Sequence, residues 1–103
     1  MTQVQNVVFG NVYTGERAGS ATAVQLASQS CRLAMFIAPN GNAGDVYLGG
    51  GSDVTVAAGT TTATAGYELQ PGGQTPWIPI SNVDLIWIIC DNAGDDLLWM
   101  ALE

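Results

Sequence analysis

Two stretches late in the chain, residues 85–90 and 97–102, are apolar on both sides of an extended strand. In the second stretch, Leu97 and Trp99 lie on one side and Leu98 lies on the other, so both sides are hydrophobic. A small sandwich covers only the inner face of each of its sheets. We therefore expect the second face to be covered by another copy of the chain or by a larger assembly.

Short hydrophobic stretches separated by Gly, Pro, Asn and Asp predict strands along most of the chain. The one segment of helical composition, residues 18–30, is interrupted by Gly19 and rich in Ser and Thr, so a strand suits part of it at least as well. Strands at this spacing are typical of an all-β protein, here a single β-sandwich or jelly-roll-like domain. The predicted strands cover residues 4–9, 21–26, 31–38, 45–48, 53–57, 60–65, 66–69, 77–80, 84–90 and 96–102.

Three loops are predicted from their turn residues. Residues 39–44 combine a proline with Asn and Gly residues that tolerate positive φ, and residues 71–73, Pro-Gly-Gly, suit a type II turn. Residues 91–94, Asp-Asn-Ala-Gly, are expected to join the last two strands in a hairpin. The stretch 49–52 and the small-residue run 57–65 are ambiguous between a linker, an arm and closely packed strands.

Charge and composition exclude several function classes. The chain of 103 residues has nine carboxylates, no histidine and no lysine, and its cations are Arg17 and Arg32, giving a net charge of −7. Histidine acid–base catalysis, lysine Schiff-base chemistry and imidazole metal ligation are therefore ruled out. Two cations do not neutralise several phosphates, so neither nucleic acid nor an anionic membrane is an expected partner. We predict that the protein is not an enzyme.

The length fits one domain, with a fairly small share of its surface buried. No signal-peptide pattern and no membrane-spanning apolar run is seen, so we expect a protein used without export. Cys31 and Cys90 fall in or at the end of predicted strands. Two buried free thiols are expected, with a disulfide between the sheets as the alternative.

Two groups of side chains have a structural and a functional interpretation. The acidic loop 91–96 offers oxygen ligands for Ca²⁺ but lacks the spacing of an EF-hand, so a turn that caps its own backbone is favoured. Trp77, Trp87 and Trp99 could stack on sugar rings. The last two lie in the most apolar strands, where tryptophan usually fills a core or an interface.

The order of motifs over residues 20–102 carries a family resemblance. Its most specific parts are the Asn-x-Gly-x-Val-Tyr-Leu-Gly strand of residues 42–49 and the Leu-x-Pro-Gly turn of residues 69–72, followed by Ile78-Pro79-Ile80 and the apolar strand that begins near Leu85. In these features the chain resembles the small β-sandwich virion proteins of tailed bacteriophages.

The resemblance implies a capsid decoration, or cement, protein. Such a protein would form a homotrimer on the outer surface of a phage head, bind the major capsid protein and stabilise the shell. It would be found in the virion after assembly in the host cytoplasm, with no cofactor and no catalytic residue. The alternative is a tail or head-fibre module that binds carbohydrate, using Trp77 and the loop carboxylates.

We divide the chain into an N-terminal strand or arm, residues 1–19, and a β-sandwich domain, residues 20–103. The N-terminal segment either adds a strand to the core or pairs with a neighbouring subunit. The candidates for capsid contact are Val7, Phe9 and Tyr13. The candidates for the oligomer interface are Trp87, Ile89, Leu97 and Trp99, or their opposite-face partners Ile86, Ile88, Leu98 and Met100.

Overall fold

Residues 10–56 and 63–103 are described in the computed structural model, and these residues contain no α-helix. The all-β prediction is confirmed, because the strands form two four-stranded antiparallel sheets that pack on each other. A short 3-10 helix, Val83–Leu85, precedes the seventh strand. The strands are β1 (Val12–Ala18), β2 (Val24–Gln25), β3 (Leu33–Ile37), β4 (Val46–Gly49), β5 (Tyr67–Leu69), β6 (Ile78–Pro79), β7 (Trp87–Cys90) and β8 (Asp96–Leu102).

Successive strands mostly alternate between the two sheets. Sheet A has the order β1-β8-β3-β6 and sheet B has the order β2-β7-β4-β5. Among neighbours in sequence, only β4 and β5 are paired in the same sheet. The β1–β2, β3–β4, β5–β6 and β7–β8 connections therefore cross from one sheet to the other, and the strand register places all four at the same end of the sandwich.

The prediction that the last two strands form a hairpin is wrong. β7 pairs with β2 and β4 in sheet B, whereas β8 pairs with β1 and β3 in sheet A. The loop after Cys90 bridges the two layers, and the inward side chains of β7 and β8 both contribute to the core between them. The turn chemistry at Gly94, whose φ is +97°, is as predicted, but a turn does not specify which strands pair.

The core contains one set of side chains from each strand. Along β8 the buried residues are Leu97, Trp99 and Ala101, and along β3 they are Ala34 and Phe36. Sheet B supplies the facing layer, so the apolar alternation of period two is satisfied on the inner side of both sheets. The largest fully buried side chains are Phe36, Ile88, Leu97, Val46 and Val83.

Two of the crossing loops are joined by side-chain hydrogen bonds. The carboxylate of Asp95, which is only 7% exposed, accepts hydrogen bonds from the backbone N–H groups of Ala43 and Gly44, both at 2.9 Å. Asn42 donates to the carbonyl of Asp96 at 2.8 Å and accepts from its N–H at 2.9 Å. We call this arrangement the loop clasp. It fixes the β3–β4 and β7–β8 connections to each other.

β1 lies inside the segment that we assigned as an N-terminal strand or arm. It pairs with β8 over its whole length, from Val12 opposite Leu102 to Ala18 opposite Asp96. Within this segment the predicted strand was placed at residues 4–9 and not at 12–18, because Gly15 in the middle weakens the strand pattern. The predicted strand at 4–9 lies outside the described residues, as does half of the one at 60–65. Of the predicted strand at 53–57, the described residues 53–56 contain a single bridge, at Thr55.

Candidate functional site

The outer face of sheet A is a hydrophobic surface formed by two adjacent central strands. β3 and β8 lie next to each other in this sheet, and both alternate between buried inner residues and partly exposed outer ones. We call this surface the apolar face. Its outer side chains are Leu33, Met35 and Ile37 from β3, Leu98, Met100 and Leu102 from β8, and Val12, Thr14 and Glu16 from the edge strand β1.

An open groove of about 500 Å³ runs across the apolar face. Its floor is formed by Met35, Ile37, Leu98 and Met100, and Glu16 is the charged residue in its lining. Met side chains are flexible and polarisable, so such a surface adapts its shape to a partner. The groove lacks convergent polar groups, which favours a hydrophobic protein surface over a small polar ligand as its occupant.

The interface candidates from the sequence divide between two environments. Leu97 is fully buried and Trp99 is 8% exposed, so both belong to the core of the single chain. Trp87 and Ile89 are half-buried and lie on the outer face of sheet B. Of the opposite-face partners, Ile86 and Ile88 pack in or against the core, whereas Leu98 and Met100 lie on the apolar face. Each strand thus has one inner and one outer apolar row.

Part of the apolar face was not named from the sequence. Leu33, Met35 and Ile37 alternate with Ala34 and Phe36 in the predicted strand 31–38, so both rows of β3 are hydrophobic. This is the same two-sided signal that identified the last two strands. The sequence does not reveal that β3 and β8 are neighbours, since 58 residues separate Ile37 from Asp96. Their pairing merges two separate apolar rows into one surface.

The outer face of sheet B combines apolar and acidic residues, and we call it the tyrosine face. Tyr47, on β4, lies between Glu68 on β5 and Ile89 on β7, and it is only 4% exposed. Its hydroxyl donates a hydrogen bond of 3.2 Å to Oε2 of Glu68. Burial raises the pKa of Tyr47 to about 12, and the negative charges of Asp91, Glu68 and Asp45 add to this effect.

Asp45 belongs to the same group of acidic residues. A side-chain hydrogen bond with Glu68 raises the pKa of the Asp45 carboxyl, with smaller contributions from burial and from the charge of Glu68. Asp91 accepts a hydrogen bond of 3.2 Å from the N–H of Asp45. Within the described residues, no cluster of three or more His, Cys, Asp or Glu side chains could hold a metal ion.

The capsid-contact candidates are only partly described. Val7 and Phe9 lie outside the described residues. Tyr13, on β1, is half-buried against the core, and its hydroxyl lies 3.5 Å from Oε1 of Glu103. Its position at the edge of sheet A puts it beside the apolar face but on the opposite side of the sheet.

The carbohydrate candidate Trp77 lies just before β6 and is 41% exposed. A second, apolar cavity of about 260 Å³ opens nearby, between Leu48 and Tyr67 of sheet B and Ile78 of β6, but Trp77 does not line it. The loop carboxylates predicted to act with Trp77 have other contacts. Asp95 is bound to backbone N–H groups in the loop clasp, and Asp91 accepts from Asp45.

The two thiols are buried and unbridged, as expected from the sequence. Cys31 lies just before β3 and Cys90 ends β7, at opposite ends of the sandwich. Burial raises the pKa of both thiols, with the charge of Glu103 adding to the effect at Cys31. A raised pKa lowers the thiolate fraction, so neither cysteine has the environment of a reactive nucleophile.

Comparisons with known proteins assign no family to the chain. No protein-family model matches it, and no match is found among curated proteins or among solved structures. No helix in the described part of the chain is both long and apolar enough to cross a membrane.

Proposed function

We propose that this chain is a structural protein of a virion, a capsid decoration protein that forms a homotrimer and binds the major capsid protein on the outside of a phage head. The observation that carries the proposal is the apolar face. Six hydrophobic side chains on two adjacent strands face outward there, around a groove of about 500 Å³. An exposed surface of this kind is stabilised when another protein covers it.

In this proposal the apolar face is the contact between the three subunits. Leu98 and Met100 lie at its centre, so they are the residues that association would bury most completely. The homotrimer leaves the tyrosine face on the outside, where its carboxylates are solvated. Contact with the shell would then use the edge near Tyr13 and the residues that precede β1, in agreement with the candidates from the sequence.

The strand order supports the viral role by analogy. Sheets ordered β1-β8-β3-β6 and β2-β7-β4-β5 have the arrangement of a jelly roll, in which a long antiparallel pair of strands wraps around the core. Viral capsid proteins use this fold, but lectins and cupins use it as well, so the fold alone does not decide the function. The absence of histidine and lysine from the sequence argues against the enzymatic members of this group.

The proposal is tested by assembly and by shell binding. Light scattering on the purified protein should give a mass that is a whole multiple of three chains of 10.7 kDa at micromolar concentration. Electron micrographs of phage heads with and without the protein should then show added density on the outer surface, in trimeric units. A folded monomer that leaves the heads unchanged contradicts the proposal.

A carbohydrate-binding fibre module is the second candidate, supported by the exposure of Trp77. A solvent-facing indole offers a flat surface for a sugar ring. Binding on a glycan array that is lost in Trp77→Ala, with an unchanged circular dichroism spectrum, would favour this role. Tyr67→Ala is a suitable control, because Tyr67 is another exposed aromatic residue near the edge of the sandwich.

A further inference from the structure

β1 is an edge strand that has neither the short length of the other edge strands nor a nearby proline like those of β5 and β6. It has seven residues, whereas the other edge strands, β2, β5 and β6, have two, three and two. β6 ends in Pro79 and β5 is soon followed by Pro71, and a proline cannot donate a hydrogen bond to an added strand. β1 contains no proline, and no other described strand covers its free edge. A long open edge is a template for a further strand.

The hydrogen bonds to β8 identify which groups of β1 are free. Asn11 and Glu103 exchange both backbone hydrogen bonds at 3.0 Å, and the N–H of Gly19 donates to Asp95 in the same register. In an antiparallel pair, alternate residues bond to the partner and the others point away. The odd-numbered residues therefore bond to β8. The N–H and carbonyl groups of Val12, Thr14, Glu16 and Ala18 point away from the sheet.

We propose that β1 binds the β1 strand of a second copy of this chain, antiparallel, about a two-fold axis at Gly15. Thr14 of one copy then lies opposite Glu16 of the other. These two residues exchange hydrogen bonds through the backbone N–H and carbonyl groups that point away from β8. This register pairs all seven residues of the strand. It joins the two copies of sheet A into one eight-stranded sheet, in which the two apolar faces become continuous on one side.

Charge complementarity favours a second copy as the partner. Arg17 is exposed and forms no ion pair with another described residue, and in this register it faces Tyr13 of the other copy. The hydroxyl of that tyrosine lies 3.5 Å from Glu103, so the guanidinium meets both an aromatic ring and a carboxylate. Shifting the register by two residues in one direction would place the two Glu16 residues opposite each other. Shifting it by two residues in the other direction would shorten the overlap to five residues.

This contact is separate from the trimer and does not depend on the viral role. The apolar face is formed by outward side chains, whereas the β1 contact uses backbone N–H and carbonyl groups at the edge of the sheet, so either contact can form without the other. If both form, the two-fold contact links one trimer to the next. If only the β1 contact forms, the protein is a dimer.

A proline tests the free edge. In Thr14→Pro the outward N–H is removed, whereas the hydrogen bonds between β1 and β8 are kept, because Thr14 does not donate to β8. Sedimentation velocity should show the associated mass of the wild type halved in Thr14→Pro and unchanged in Thr14→Ala, which keeps the N–H. Equal masses for wild type and Thr14→Pro, with both folded by circular dichroism, would overturn the proposal.

A crosslinking experiment tests the register and remains informative if the proline variant does not fold. Thr14→Cys and Glu16→Cys proteins are oxidised separately and as a mixture. Opposed residues in this kind of pair have Cα atoms about 5.5 Å apart, within the range of a disulfide. The mixture should give a dimer that contains one chain of each variant. The wild type, whose own thiols are buried, should give none.

Efficient crosslinking of either variant with itself would overturn the proposed register. No crosslink in any sample would overturn the contact. Pairing of β1 with a different extended segment would also leave all samples uncrosslinked. In each of these cases the trimer of the proposed function is still tested on its own by the mass of the Thr14→Pro protein.

Discussion

The outer faces of the two sheets both contain large side chains but differ in how these are covered. On the tyrosine face, Tyr47 is 4% exposed and its hydroxyl is satisfied by Glu68 within the same chain. On the apolar face, Met100 is 37% exposed above a groove, and no polar side chain closes over it. One face is completed by its own sheet. In our proposal, the other is completed by a second molecule.

The difference arises from the residues at the edges of the two sheets. Edge strand β5 contributes Glu68, which reaches Tyr47 on the neighbouring strand. Edge strand β1 contributes Val12, Thr14 and Glu16 to the apolar face, and Thr14, the residue opposite Met100, is short. An apolar row at the centre of a sheet is therefore covered or left open by the length of the edge side chains, even where the central strands are equally hydrophobic.

The strongest test of this comparison introduces one carboxylate on each face. Leu98 and Ile89 are both half-buried, outward-facing residues on central strands, so Leu98→Asp and Ile89→Asp are matched variants. We expect Leu98→Asp to reduce the trimer to a folded monomer, because an interface centre excludes an unpaired charge. Ile89→Asp should keep the trimer. Light scattering measures both, and the reverse result would transfer the interface to Trp87 and Ile89.

A second variant probes the edge beside the apolar face. A Cβ atom at Gly15 would overlap the indole of Trp99, which is held in the core. Forcing extra atoms into a packed core generally costs about 1–3 kcal/mol, so Gly15→Val should lower the free energy of unfolding by that amount. Urea denaturation gives the value. Gly41→Val is the control, since a Cβ at Gly41 meets no atom, and a loss of equal size there would contradict the packing argument.

The loop clasp joins two connections that run between the sheets, so its removal should affect the apolar face and the tyrosine face alike. Asp95→Ala leaves the N–H groups of Ala43 and Gly44 without their acceptor. A hydrogen bond to a charged group contributes about 1.5–3 kcal/mol, so unfolding should require less denaturant. Asp53→Ala, at an exposed loop carboxylate, should change stability by less than about 0.5 kcal/mol. Similar losses in the two variants would contradict the structural role of Asp95.

The smallest expected effect concerns the ionisation of the Tyr47 hydroxyl. Its pKa is raised from 10.0 to about 12, so the neutral phenol is favoured in the folded state. The stability that this group contributes is fully present below pH 10 and is lost as pH rises through about 12. In a spectroscopic titration of the phenolates, Tyr47→Phe should remove a phase centred near pH 12. Removal of an earlier phase instead would show that Tyr47 is not closed off from solvent.

The sequence predicted the all-β class and the two-sided apolar strands, because period-two alternation is a local property of the chain. The turns at Gly72 and Gly94 were also predictable, since both have the positive φ that favours glycine. The pairing of the strands was not predictable from the sequence. Residues 85–102 look like a hairpin, but β7 and β8 lie in different sheets because pairing is decided by contacts across the whole chain.

The same limit applies to the candidate site. Leu98 and Met100 were named in one of two alternative sets of interface candidates. Their outward orientation is known only once β8 is placed in sheet A. The contribution of β3 to the same surface depends on its pairing with β8, which no local pattern reveals. The role of Asp95 was also hidden, because its hydrogen-bond donors are in a loop about fifty residues earlier.

The position of β8 has a consequence for how the molecule forms. This strand lies between β1 and β3, so before it is made β1 has no described sheet partner and β3 pairs only with the two-residue strand β6. Nearly all of sheet A therefore depends on contacts between distant parts of the chain, which is a slow kind of topology to fold. During synthesis, most of β3 would stay unpaired until residues 96–102 leave the ribosome. We expect refolding to be slow, and loss of β8 to prevent it altogether.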